Sequence, residues 1–124
     1  ADSCTLGLDI RYIPEQKNTM INDIKKLLPE GFTMDVVVNE PARFTDPQSK
    51  YVRLLRESGK KILHKDVVVR GANGSSDLRH FDCPGVEFGP IGGGIGSDNE
   101  WVDMESLQIY CEILRNFLLS EQIV

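Results

Sequence analysis

The chain has 124 residues, 40% of them hydrophobic and 27% charged, with a formal net charge of −5. That is the size and balance of one ordinary globular domain with a modest core. No apolar run approaches a membrane span, and ADSCTLGLDI lacks the basic-then-apolar order of a secretory leader. The expectation is a soluble, cytoplasmic chain. Its strand-like start at Ala1 suggests a piece of something longer.

Arg53, Arg56, Lys60, Lys61 and Lys65 form the densest basic cluster, at helical spacing with Glu57 among them. It reads as a solvated helix face, so neither nucleic acid nor membrane is an expected partner. Cys4, Cys83 and Cys111 have neither zinc-finger nor CxxC spacing and read as reduced, mostly buried thiols.

In chain order, Leu8, Ile10 and Tyr12 alternate with Asp9 and Arg11, which predicts a strand with one polar face. Pro14 ends it. From about Glu15 the set Met20, Ile21, Ile24, Leu27, Leu28 follows helical spacing until Pro29-Glu30-Gly31 stops it. TMDVVVN reads as a second strand, expected to pair with the first beneath that helix and to leave an exposed edge. The connector EPARFT follows. Asp46-Pro47 predicts a capped helix start, and Tyr51, Val52, Leu54, Leu55 and Ile62 form its apolar stripe. DVVVR reads as a short strand ending in GANGSSD, and a brief helix is expected over Ser76 to Phe81. Val86 to Phe88 reads as a strand feeding a glycine-dense loop, GPIGGGIGSDNE. Asp103 should cap a last helix with Leu107, Tyr110, Cys111, Leu114, Phe117 and Leu118 on its core face. Alternating strands and helices predict an α/β or α+β chain.

Both unusual loops follow expected strands and precede helices, the position where open α/β sheets hold ligands. If those strands are neighbours, Ser75, Ser76, Asp77, Asn99 and Glu100 share one edge; the alternative is that they are turn and capping residues. The glycine spacing is not G-x-G-x-x-G, no Gly-Lys-Ser/Thr occurs, and G-S-S-D is not G-x-S-x-G.

The order LDIRYIPE, helix, VVVNEPARFT, helix, GANGSSDLRHF, VEFGP, GSDNEWVDMESL resembles the C-terminal part of metallopeptidase family 20. This dizinc deacylase and exopeptidase family includes succinyl-diaminopimelate desuccinylase and acetylornithine deacetylase. The resemblance covers nearly the whole chain. It implies that residues 1–40 are the second half of a ferredoxin-like lid and dimerisation domain, and that 41–124 are the C-terminal part of the α/β catalytic domain. Partners by the same resemblance are an N-terminal catalytic half, a second copy in the intact protein, and a small N-acyl amino acid or peptide.

The resemblance places Arg11 where the family holds a substrate carboxylate, a task suited to a guanidinium fork. Pairing with Asp9 or another acid is the competing use. Gly74 and Ser75 fall on substrate-contacting positions, and Asp77, Asn99 and Glu100 on residues expected to order the loops. The family's two zinc ions share an attacking hydroxide, and a glutamate serves as base. Its pattern G-P-x-x-x-x-I-H-x-x-x-E aligns with Gly89, Pro90, Ile95 and Glu100, but Gly96 stands at the histidine. His64 and His80 lie outside the loop. This chain is therefore expected to bind no zinc and to hydrolyse nothing alone. Two readings follow: a part of a zinc-dependent amidohydrolase, or a non-catalytic binding module from the same fold.

Overall fold

The computed structural model of the protein describes residues 2–72, 74 and 76–120. They group into two compact units, Ala1–Phe44 with Asn73–Phe81 and Thr45–Ala72 with Asp82–Val124.

In the first unit, Pro14–Gln16 wind one 3-10 turn, and Gln16 Oε1 accepts the Ile13 N–H at 3.3 Å. Helix α1 follows over Met20–Leu27, half-burying Met20, Ile21 and Ile24. It stops where the sequence predicts. Leu28 leaves helical geometry ahead of Pro29, whose ring disfavours a helical predecessor, and Gly31 takes φ +86°. Asp77–His80 form a second 3-10 turn, capped by Ser76 Oγ accepting the Leu78 N–H at 3.3 Å.

The second unit is built on helices α2, Lys50–Leu63, and α3, Met104–Leu118, which pack together. Val52, Leu54 and Ile113 are its buried apolar side chains, with Ser58 and Gly59 buried beside them on α2. Arg56 Nε donates to the Val67 carbonyl at 3.2 Å, drawing residues 64–70 along α2. Gly59 makes room for that segment: a Cβ there would meet Val67 Cγ2 at 2.8 Å. Thr45 Oγ1 both donates to the Gly85 carbonyl (2.7 Å) and accepts its N–H (3.3 Å), tying 82–91 to the start of the unit. Strands β1, Gly92–Gly93, and β2, Trp101–Val102, pair antiparallel in the register Gly92↔Val102, Gly93↔Trp101.

Helices beside a small antiparallel sheet keep the chain in the mixed α/β class, but several expected elements are corrected. The four expected strands, around Leu8–Tyr12, in TMDVVVN, in DVVVR and over Val86–Phe88, do not form, and the expected pairing of the first two goes with them. A strand needs a neighbour's backbone groups, and β-branched composition supplies none. Leu8 and Val37 are instead 69% and 92% exposed. Asp46 does not cap α2: its Oδ1 accepts the Gln48 N–H at 2.8 Å in a turn, and the helix begins after Ser49. The three cysteines are exposed, not buried. On α3, Cys111 and Leu118 lie about 160° and 140° around the helix from Ile113, at about 100° per residue, and so face away from α2. Asp103 does cap α3, its Oδ1 accepting the Ser106 N–H at 2.7 Å.

Because Ile113 is 2% exposed, Ile113→Ala should cost about 2–5 kcal/mol in urea unfolding followed by circular dichroism. Leu118→Ala, at a residue 61% exposed, should stay within about 0.5 kcal/mol. Equal losses at both would mean that the α2–α3 face is drawn wrongly.

The Lys60 ammonium lies 2.7 Å from Asp66 and holds its carboxyl below the ordinary carboxylate range. Since the folded-state value is depressed, the pair's small contribution is present above the ordinary range and lost as pH falls through the depressed value. A carbon-detected NMR titration should show the Asp66 midpoint rising in Lys60→Met.

Candidate functional site

The glycine-dense stretch is a β-hairpin. β1 leads into the turn at 94–100 and β2 returns directly to the N-cap of α3. Its glycines are required by the chain's own approach. A Cβ at Gly92 would lie 2.7 Å from the Trp101 carbonyl oxygen, and one at Gly93 would lie 2.8 Å from Trp101 Nε1, beneath the indole. Gly94 has φ +68° and would place a Cβ 2.6 Å from the Asn99 carbonyl oxygen. Gly96 differs. It also has a left-handed φ, +77°, but nothing lies within 4 Å of where its Cβ would be.

The turn is closed by Ser97, whose N–H and Oγ both donate to the Gly94 carbonyl at 2.9 and 2.7 Å. Asn99 donates its N–H to Ser97 Oγ at 3.3 Å, and the Glu100 carboxylate accepts the Gly96 N–H at 3.2 Å. The hairpin's base is fastened to α3 through one hydroxyl. Ser106 Oγ accepts the Ile91 N–H at 2.9 Å and donates to the Asp103 carbonyl at 2.8 Å, while the Asp103 N–H donates to the Ile91 carbonyl at 2.8 Å. Phe88 and Tyr110 add a tilted ring contact, with centroids 5.2 Å apart.

The remaining sequence candidates lie in the first unit. Arg11 Nη2 donates to Asp9 Oδ2 at 2.7 Å, and both side chains are exposed. Gly74 is exposed, Ser75 lies outside the described residues, and Asp77 is exposed at the start of the second 3-10 turn. The bonds that hold this loop come from Ser76 and from Arg79, a residue the motif reading passed over. Arg79 Nη1 donates to the Ser76 carbonyl at 2.7 Å, and its Nε donates to Glu40 Oε2 at 3.4 Å. The Glu40 backbone carbonyl in turn accepts the Tyr12 hydroxyl at 2.5 Å. No spacing rule links residues so distant in sequence. The local signatures in these networks are the caps, Ser76 before its 3-10 turn and Asp103 before α3.

His64 ends α2 in left-handed geometry (φ 53°) and His80 ends the second 3-10 turn, both exposed. Among the described residues, no three His, Cys, Asp or Glu side chains gather within reach of one metal ion. Two surface depressions, of about 490 Å³ between α2 and α3 and about 230 Å³ between α2 and Asp66–Val67, are lined by no candidate residue. No helix among the described residues is long and apolar enough to cross a membrane.

A family model described as Peptidase family M20/M25/M40 matches residues 7–120. No solved structure matches the chain significantly.

The chain has one tryptophan, so its fluorescence reports on the hairpin. Gly92→Ala and Gly94→Ala, which drive a Cβ into backbone carbonyls, should shift the emission of Trp101 and unravel the turn. Gly96→Ala should leave the emission in place and cost about 1–2 kcal/mol of left-handed strain. A shift of the same size at Gly96 would contradict its open surroundings.

Proposed function

The chain belongs to Peptidase family M20/M25/M40, and on that premise we propose that it is part of a metal-dependent hydrolase of amide bonds. The observation that carries this is the match over residues 7–120, which spans both unusual loops. The finer reading is an N-acyl amino acid deacylase or exopeptidase, akin to succinyl-diaminopimelate desuccinylase and acetylornithine deacetylase. In it, 1–40 belong to a lid and dimerisation domain and 41–124 to the C-terminal part of the catalytic domain. The lid assignment rests on resemblance alone, since its two strand segments are unpaired here.

In this reading Arg11 leaves Asp9 to grip the substrate carboxylate. The exchange is inexpensive, because an exposed ion pair stabilises by no more than about 1 kcal/mol. Gly74 and Ser75 contact the substrate, and Asp77, Asn99 and Glu100 order the loops. Gly96 occupies the metal-ligand position and offers zinc nothing. The other ligands and the general base would come from an N-terminal catalytic half. The glycine at the histidine position also supports a second reading: a binding module that has kept the family's cradle without its chemistry.

Isothermal titration and an amidase assay separate the two. The chain as it stands should bind no stoichiometric zinc at micromolar concentration, and Gly96→His alone should not change that. Joined to a family N-terminal half, the Gly96→His chain should hydrolyse N-acyl amino acids. In that joined enzyme Arg11→Ala should weaken substrate binding by about 1.5–3 kcal/mol. Failure of every joined form to bind metal or turn over would favour the binding module. Tight zinc binding by the unaltered chain would displace Gly96 as the ligand position, with His80 the first residue to test.

A further inference from the structure

We infer that Glu40 is a positioning residue that couples the Arg11 segment to the Asp77–His80 turn and its cap Ser76, so that the two arms of the proposed substrate cradle are set together. This deepens the proposed function and rests on it for the word cradle; the coupling itself rests on geometry within the first unit.

Glu40 is held from both sides. Its backbone carbonyl accepts the hydroxyl of Tyr12, the residue next to Arg11. Its carboxylate accepts from Arg79 Nε, and the same guanidinium holds the Ser76 carbonyl through Nη1. Arg79 is well placed to transmit this. Its side chain is 20% exposed against 46% for Glu40, and a planar fork cannot satisfy one partner and swing away from the other. The Ser76 carbonyl also accepts the Arg79 N–H at 3.4 Å, so the arginine fixes the first turn of its own 3-10 segment from both ends. Moving Tyr12 moves the Glu40 backbone, and with it the carboxylate that orients Arg79.

The decisive variant touches only the far arm. Tyr12→Phe removes one hydroxyl and should speed backbone amide exchange at Arg79 and Phe81, whose N–H groups close the second 3-10 turn, by roughly three- to tenfold. Glu40→Gln and Arg79→Met should do the same, and Tyr12→Phe should add little on top of either. Exchange in α2 and α3 serves as the internal control for global stability. Unchanged exchange at Arg79 and Phe81 in Tyr12→Phe, or full additivity with Glu40→Gln, would overturn the coupling.

A second arm isolates the cradle. N-acetyl-L-alanine should perturb the amide resonances of Arg11 and Gly74 in the chain, whereas its carboxamide, lacking the carboxylate, should not. The perturbation should weaken in Tyr12→Phe. If neither compound binds while the exchange effects hold, the coupling stands and the substrate reading of these loops fails. If the carboxylate binds equally to the chain and to Tyr12→Phe, the coupling plays no part in the cradle and this inference is overturned.

Discussion

A backbone amide withdrawn from water must find a partner, and the source of that partner decides which elements of this chain exist. A helix draws its partners from its own segment, so the backbone bonds of α1, α2 and α3 are met within each of them. A strand must borrow them from elsewhere. The valine-rich runs have no such lender and stay irregular, with Val37 and Val68 facing solvent. Among the described residues the one sheet that forms is lent by a chain reversal, where β1 and β2 are brought opposite each other within eleven residues of sequence, 92–102.

That reversal is possible because of what its residues lack. Three consecutive glycines allow the return strand, its carbonyls and the Trp101 indole to close at distances no Cβ would permit. Ser106 then fastens the reversal to the first turn of α3, so the hairpin inherits the rigidity of a helix that carries Ile113 two turns further along the same face. The residues at the tip, including Gly96, are thereby presented to solvent from a fixed base. A loop carrying a metal ligand or a substrate contact needs this combination of a firm root and an uncrowded tip.

How much of this could be read from sequence follows the same division. Helical spacing, the stop at Pro29-Glu30-Gly31 and the cap at Asp103 are local signals, and they locate the three helices to within a few residues. Strand propensity is not local in that sense, and all four expected strands failed for want of neighbours. The hairpin went unrecognised because Gly-Gly against Trp-Val has no alternation to detect, although dense glycine between two short runs is itself a turn signal. The family was legible from loose motifs in the right order, which is the information a family model also integrates. Arg79 and Glu40 were not, since a contact between a connector and a distant loop leaves no periodic trace.

The α2–α3 interface has a kinetic side as well. Residues 64–103 lie between the two helices, so the surface that α2 and α3 bury against each other is gained after a long loop has been closed. Loop-closure entropy is spent before that burial repays it. The hairpin and the first turn of α3, by contrast, join residues fifteen or fewer apart. On chain separation alone, the reversal and its bracket on α3 therefore cost less closure entropy than the α2–α3 contact. Opening that contact would uncover Ile113, and exposed apolar surface of that kind is what makes a chain stick to its neighbours.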